Sequence, residues 1–124
     1  MNFVLLTPDI VERLHDAALN PGELPGRAGH KSLDGALARV DNRLAYGMID
    51  DVFALAAAYA VAVATGHVFN DGNKRSAFRA MDFCLHANGV RIIWDAKTIG
   101  DQIIRLAQGH LAEDDFANWL RRQV

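Results

Sequence analysis

The chain has 124 residues, of which 51% are hydrophobic and 23% are charged, and its formal net charge at pH 7 is −2. This length fits a single domain, 1–124, and this apolar content is enough to fill a core, which excludes extended disorder. The net negative charge argues against a general nucleic-acid binder, because such a domain normally carries a basic surface.

Two features indicate a soluble protein of a reducing compartment. Cys84 is the one cysteine, so no internal disulfide is available, and the N-terminus lacks a signal-peptide pattern. The longest apolar run, residues 52–64, is shorter than the roughly 20 residues that a membrane-spanning helix needs. We therefore expect a cytoplasmic protein without a membrane partner.

The first half of the chain predicts three helices. Residues 7–9, Thr-Pro-Asp, are typical of a helix start, and a stop follows at residues 20–22. The loop 20–31 is rich in Pro and Gly and is longer than most connections, which is typical of a functional loop. Ser32 can cap a second helix, and the apolar run 52–64 predicts a helix buried on all sides.

The second half predicts three more helices. Apolar residues recur at helical spacing at Ala77, Ala80, Met81, Cys84 and Leu85. This helix is predicted to end at Asn88-Gly89. Residues 90–94 have the composition of a strand but nothing to pair with. A helix capped by Asp95 and running to about Gln108 follows, and then one over 113–122. The predicted fold class is all-α, a helical bundle around a central buried helix.

The stretch HVFNDGNKRS, residues 67–76, joins the two central helices. The second of these helices begins at Asn73, and the first N–H groups of a helix, with the helix dipole, attract anions. Gly72 allows the backbone to approach a ligand closely. Lys74 and Arg75 lie at the end of the helix where cations are unfavourable unless an anion binds between them. The stretch therefore predicts an anion site.

The same residues also have a purely structural interpretation. Asp71 or Asn73 can cap the helix, Phe69 can belong to the core, and His67 can be structural. From the residues alone, an anion site is favoured, and catalysis is the weaker inference. The phosphate-binding pattern G-x-x-x-x-G-K-[ST] is absent.

Residues 67–75, HVFNDGNKR, resemble the signature of the Fic/Doc family, His-x-Phe-x-Asp/Glu-Gly/Ala-Asn-Gly/Lys-Arg. The resemblance is to the Doc (death-on-curing) toxin branch in particular, which has Lys where adenylylating Fic enzymes have Gly. It continues outside the signature in four segments and at Tyr46. The segments are LHDAAL (14–19), LPG (24–26), ALAR (36–39) and AAAYAVAVATGH (56–67).

The resemblance implies a role for each polar residue of the loop. His67 would be the general base that takes the proton of a target hydroxyl, and Asp71 would help to hold Mg²⁺. Phe69 would anchor the loop in the core.

The remaining loop residues would hold the phosphates of ATP. The backbone N–H groups of Gly72 and Asn73 would bind phosphate, and the Asn73 side-chain amide would add to them. Lys74 and Arg75 would neutralise the charge in the transition state and are predicted catalytic residues.

The resemblance implies a toxin that phosphorylates a Ser/Thr hydroxyl of a translation factor, such as elongation factor Tu, with Mg²⁺ and ATP. Lys74 favours this reaction over adenylylation, because lysine fills the space that glycine leaves for the terminal phosphates. An adenylyltransferase and a non-catalytic phosphate- or partner-binding module remain as alternatives. A helix-turn-helix DNA binder is disfavoured by the net charge, and no direct contact with nucleic acid is expected.

The sequence departs from the family at one position. The second arginine of Fic enzymes is replaced by Phe78, and Arg79 lies about 100° away on the helix, so it receives no role. The inhibitory pattern Ser/Thr-x-x-x-Glu-Gly/Asn, which some Fic proteins carry, is absent. The resemblance therefore implies an antitoxin that binds in trans, and the loop 20–31 is expected to position a target segment.

Several other residues receive mainly structural predictions. His15 and Asp16 are expected to be structural, and Arg39 and Arg43 to lie on a solvated helix face. Trp94 and Trp119 are expected to lie in the core or to face the antitoxin.

Overall fold

A computed structural model describes residues 2–29 and 31–124, and these form six α-helices. In chain order they are α1 (Pro8–Ala18), α2 (Leu33–Ala45), α3 (Val52–Gly66), α4 (Asn73–Ala87), α5 (Ala96–Ala107) and α6 (Glu113–Arg121). The described residues contain no β-strand, and residues 90–94 are neither helix nor strand, as their lack of a partner predicts. The predicted all-α class is confirmed.

Helix α3 is the centre of the bundle. It contacts α2, α4, α5 and α6, and its alanine-rich sequence allows these helices to approach it closely. Leu55 and Tyr59 are fully buried in its middle. The prediction of a central buried helix from the apolar run is therefore confirmed.

The starts of four helices are stabilised by the side chain that precedes them. Thr7, Ser32, Asp51 and Asp95 each accept a hydrogen bond from a backbone N–H of the first turn. Such a cap contributes about 1 kcal/mol to helix stability. Helices α4 and α6, which begin after Gly72 and Ala112, have no side-chain cap.

Two ion pairs fasten the C-terminal helix to the rest of the bundle. Arg121 of α6 donates from Nε and Nη2 to the Asp51 carboxylate, at 2.8 and 2.9 Å. Arg43 of α2 donates to both oxygens of Glu113, at 3.2 and 2.5 Å. Arg43 was predicted to lie on a solvated helix face; its side chain is 37% exposed, and it pairs there with a carboxylate at the start of α6. Arg39 is exposed.

The described part of the chain has no helix that combines the length and the apolar character needed to cross a membrane.

Candidate active site

The turn between α3 and α4 contains two residues with positive φ. Helix α3 ends at Gly66, and His67 follows in the left-handed region with φ 50° and ψ 39°. Gly72, which precedes α4, has φ 77°. The left-handed conformation is unfavourable for a residue with a Cβ, so its presence at an exposed histidine is typical of a functional position.

Phe69 anchors this turn in the core, as predicted. Its side chain is only 3% exposed and stacks on the buried His15 ring, with ring centroids 3.8 Å apart. His15 Nε2 lies 2.7 Å from the carbonyl oxygen of Asp71. Because a carbonyl oxygen only accepts hydrogen bonds, Nε2 carries the proton and donates it. The structural role predicted for His15 is confirmed, and it holds the loop from the side of α1.

The Asn73 side chain binds the loop itself. Its Oδ1 accepts from the Phe69 N–H at 3.1 Å, and its Nδ2 donates to the Phe69 carbonyl at 3.0 Å. Nδ2 carries a second N–H, so binding of phosphate by this amide stays a prediction. The pairing with Phe69 follows from the antiparallel bridge between Arg27 and Phe69, in which the flanking residues Val68 and Asn70 make the backbone hydrogen bonds. The N–H and C=O of Phe69 face the other way, and Asn73 satisfies both.

The start of α4 is open to an anion. Among the described residues, no acceptor contacts the N–H groups of Asn73, Lys74 and Arg75, which are the first three of the helix. The Lys74 side chain is exposed and has no hydrogen bond or ion pair within the described chain. A helix start with unpaired N–H groups and an unpaired cation favours phosphate binding.

Arg75 already has partners on the other side of the site. Its Nε donates to the Ala18 carbonyl at 3.0 Å, and its Nη2 donates to Glu23 Oε1. The hydrogen bond from Arg75, followed by that from the Asn20 N–H, lowers the pKa of the Glu23 carboxyl. The guanidinium is thus fixed beside α4, and its remaining N–H groups have no partner within the described chain. No sequence pattern indicated Glu23, because it lies 52 residues from Arg75.

Asp71 is the one predicted metal ligand. Its Oδ2 accepts from the Leu24 N–H at 2.8 Å, and its Oδ1 has no hydrogen-bond partner among the residues described. No cluster of three or more His, Cys, Asp or Glu side chains that could hold a metal occurs in 2–29 or 31–124. One available carboxylate oxygen fits Mg²⁺, which commonly takes one or two carboxylates and completes its shell with water and substrate phosphates.

The loop 20–31 lies beside the site, although residue 30 is outside the described residues. Gly26 and Ala28 pair with the α3–α4 turn through backbone hydrogen bonds of 3.2 and 2.8 Å. The Asn70 side chain adds a hydrogen bond of 3.0 Å to the Pro25 carbonyl. Arg27 is held by Glu12 of α1 and Asp34 of α2. These contacts hold the loop next to the α3–α4 turn, and the role of the loop in positioning a target stays a prediction.

A cavity of about 380 Å³ brings most of the predicted residues together. It is lined by Ala64, His67, Asn70, Asp71, Gly72, Asn73, Lys74, Ile104, Ala107 and Gln108. Arg75 does not line this cavity and borders a second, larger one with Lys74. Sequence reasoning did not predict the contribution of α5, through Ile104 and its C-terminal end.

The second cavity measures about 490 Å³ and lies between α4 and α5. Phe78 and Arg79, which follow the signature, both line it, together with Trp94. Trp94 stacks on Trp119, with centroids 6.2 Å apart, and Phe78 meets Trp94 edge-on at 5.9 Å. Both tryptophans are half-buried.

Comparison with known proteins gives two matches. The model of the Fic/DOC family matches residues 5–85, which include the whole turn between α3 and α4. The chain is also 36% identical, over 118 residues, to the protein kinase doc of Escherichia phage P1. That match covers 94% of this chain and 93% of the phage protein.

Proposed function

The chain belongs to the Fic/DOC family, and from this premise we propose that it is a protein kinase that transfers the γ-phosphate of ATP to a Ser or Thr hydroxyl. The observation that carries the proposal is the cavity that His67, Asp71 and Lys74 share at the uncapped start of α4. A relative that is named a protein kinase and is similar over nearly its full length supports phosphoryl transfer.

His67 acts as the general base in this proposal. Its exposed imidazole accepts the proton of the target hydroxyl while the hydroxyl oxygen forms a bond to the γ-phosphorus. The bond from that phosphorus to the oxygen that bridges to the β-phosphate breaks, and ADP leaves with the bonding electron pair. The imidazole keeps the proton until solvent removes it.

The start of α4 holds the phosphates. The N–H groups of Asn73, Lys74 and Arg75 and the Lys74 ammonium offer fixed positive charge to the phosphoryl group in transfer. Arg75 contributes through the N–H groups that Ala18 and Glu23 leave unused. Because the Glu23 carboxylate already lies on Arg75, an incoming phosphate meets competition there.

Asp71 would hold Mg²⁺ with its unpaired Oδ1, and the ion would neutralise charge on the phosphate oxygens. The hydrogen bond from the Leu24 N–H to Oδ2 keeps the carboxylate in one orientation. The loop 20–29 therefore positions the group that binds the metal.

In the cell, we propose that the protein is the toxin of a toxin–antitoxin pair and acts in the cytoplasm. Its target would be a translation factor similar to elongation factor Tu, and an antitoxin binding in trans would inhibit it. Family membership supports these proposals, as does the absence from the sequence of the family's own inhibitory pattern.

A transfer assay with ATP labelled at either phosphate tests the proposed reaction. The protein, Mg²⁺ and a cell lysate are incubated with ATP labelled at the α- or the γ-position, and labelled proteins are identified. We expect label from the γ-position only. Label from the α-position would instead indicate adenylylation, and no label from either would favour a binding module.

Two variants make the assay specific. His67→Ala is expected to lower transfer by ~10²–10⁴, the usual loss on removal of a general base. His86→Ala is the matched control, since His86 is also exposed and lies about 20 Å away at the other end of α4. Equal activity of both variants would refute the role of His67.

A further inference from the structure

We propose that His15 is a positioning residue, which keeps the peptide unit between Asp71 and Gly72 in the orientation that presents the Gly72 N–H to phosphate. This inference rests on the proposed function and assigns to α1 a part in the same site. His15 is fully buried and does not line the cavity that contains His67. It therefore acts through the turn and does not touch the substrate.

The peptide unit between Asp71 and Gly72 needs a contact that selects its orientation. A half turn of a peptide unit changes ψ of the residue before it and φ of the residue after it. Gly72 has φ 77°, and a glycine adopts positive and negative φ about equally well. Steric hindrance at this glycine therefore does not prevent the half turn.

His15 selects the orientation through the carbonyl oxygen of this peptide unit. Its Nε2–H donates to the Asp71 oxygen at 2.7 Å. The peptide bond is trans, so its C=O and its N–H point in opposite directions. Because the carbonyl is directed at His15, the Gly72 N–H is directed away from α1, and Gly72 lines the cavity that contains His67. This N–H has no acceptor within the described chain.

The reversed orientation would oppose phosphate binding. The Asp71 carbonyl oxygen would take the place of the Gly72 N–H and would put partial negative charge beside the phosphate. The His15 Nε2–H would at the same time lose its acceptor in a buried position, which is costly. The hydrogen bond from His15 thus stabilises the orientation that an anion requires.

The His15 ring is itself held in one orientation. It stacks on Phe69 with ring centroids 3.8 Å apart and an angle of 7° between the planes. Its Nδ1 lies 3.2 Å from the Asp16 carboxylate, and its Cδ2 lies 3.6 Å from the position of a Cβ on Gly72. Contacts on the face and at the edge of the ring therefore direct Nε2 at the Asp71 carbonyl.

Three variants separate the hydrogen bond from the packing of α1. His15→Phe keeps an aromatic ring against Phe69 but has no donor, whereas His15→Gln loses the ring and keeps an N–H donor at the end of the side chain. Val11→Ala is the matched control, because Val11 is buried one turn earlier on the same face of α1. Its truncation loosens the packing of α1 and leaves the hydrogen bond to Asp71 in place.

The binding of inorganic pyrophosphate without Mg²⁺ is measured on the four proteins by titration of the backbone amide resonances. We expect His15→Phe to weaken binding by ~10–100-fold, the usual effect of losing a hydrogen bond to a charged group. His15→Gln should recover most of this loss, and Val11→Ala should bind as the wild type does. Unchanged binding by His15→Phe overturns the proposal, as does binding by His15→Gln that is no tighter than that of His15→Phe. An equal loss in Val11→Ala would assign the effect to packing and overturn it too.

The wild-type protein provides a measurement that needs no variant. Bound pyrophosphate should shift the amide resonance of Gly72 together with those of Asn73 and Lys74. A Gly72 resonance that stays in place while the other two move would overturn the proposal, as would a wild-type protein that does not bind pyrophosphate.

The proposed function fails separately from the role of His15. Pyrophosphate binding that depends on the His15 donor, without transfer to any protein, would refute the kinase and keep the positioning role. Transfer of γ-phosphate by His15→Phe at the wild-type rate would do the reverse.

Discussion

Replacing His67 with glycine is expected to stabilise the protein while it removes transferase activity. His67 holds φ 50° and ψ 39° at the end of α3, a conformation that glycine adopts without steric penalty. The imidazole is exposed and makes no hydrogen bond to the described residues. Its removal therefore costs few contacts, and the backbone strain is relieved.

The size of the stabilisation follows from two opposing contributions. The left-handed conformation costs a residue with a Cβ ~1–2 kcal/mol. Glycine loses more conformational entropy on folding than histidine, which reduces the stabilisation by ~0.5–1 kcal/mol. The expected net stabilisation is roughly 0–1.5 kcal/mol, and its middle value of about 0.75 kcal/mol raises the Tm of a domain of this length by about 3 °C. The transfer rate should fall by ~10²–10⁴.

Thermal unfolding and γ-phosphate transfer are measured on wild type, His67→Gly and His67→Ala. His67→Ala is the control, since it removes the imidazole but keeps a Cβ at positive φ, so activity should fall without a gain in Tm. A lower Tm for His67→Gly than for the wild type would show that the imidazole makes stabilising contacts. Full activity in either variant would refute its role as the base.

Three further predictions concern stability and reactivity. Cys84 is buried, and burial raises the pKa of its thiol to about 12. A thiol reagent should therefore modify Cys84 only as fast as the protein unfolds locally. Rapid modification of the native protein would contradict this prediction. Asp51→Asn keeps a capping side chain but loses the ion pair with Arg121, whose hydrogen bonds lower the pKa of the Asp51 carboxyl. Because that ion pair is about one-third exposed, the variant should be less stable than the wild type by at most ~1 kcal/mol. Urea unfolding should show this full difference in stability above the ordinary carboxyl pKa of 3.8, and the difference should disappear as the pH falls through the lowered pKa of Asp51. A difference in stability that is the same at all pH values would refute the ion pair as its origin. Tyr59→Phe removes the hydroxyl that accepts from the buried Leu6 N–H at 3.2 Å, so it should cost ~1–3 kcal/mol in urea unfolding; a neutral substitution would show that another group satisfies this N–H.

Local patterns predicted the helices well. A cap is a contact between a side chain and an N–H three residues later, so Thr7, Ser32 and Asp95 were sufficient to place three helix starts. Burial of α3 followed from its unbroken apolar run, and the predicted stop at Asn88-Gly89 was also correct. Each of these features depends on neighbours in the sequence.

The polar contacts of the site were less predictable. The pairing of the Asn73 amide with Phe69 was not predicted. That outcome depends on which side of the turn faces the loop 20–29. The partners of Arg75 and Arg43, which are Glu23 and Glu113, lie 52 and 70 residues away. No periodicity or spacing reports such a pair.

The sequence by itself therefore determined the helices, their caps and the chemical groups of the turn at residues 67–75, because these follow from contacts between near neighbours and from a contiguous motif. Only the tertiary structure decided that α5 closes both cavities and that Glu23 lies on Arg75. Those contacts arise when elements far apart in the chain come together, because α5 packs on α3 and α4 while α1 packs on α4.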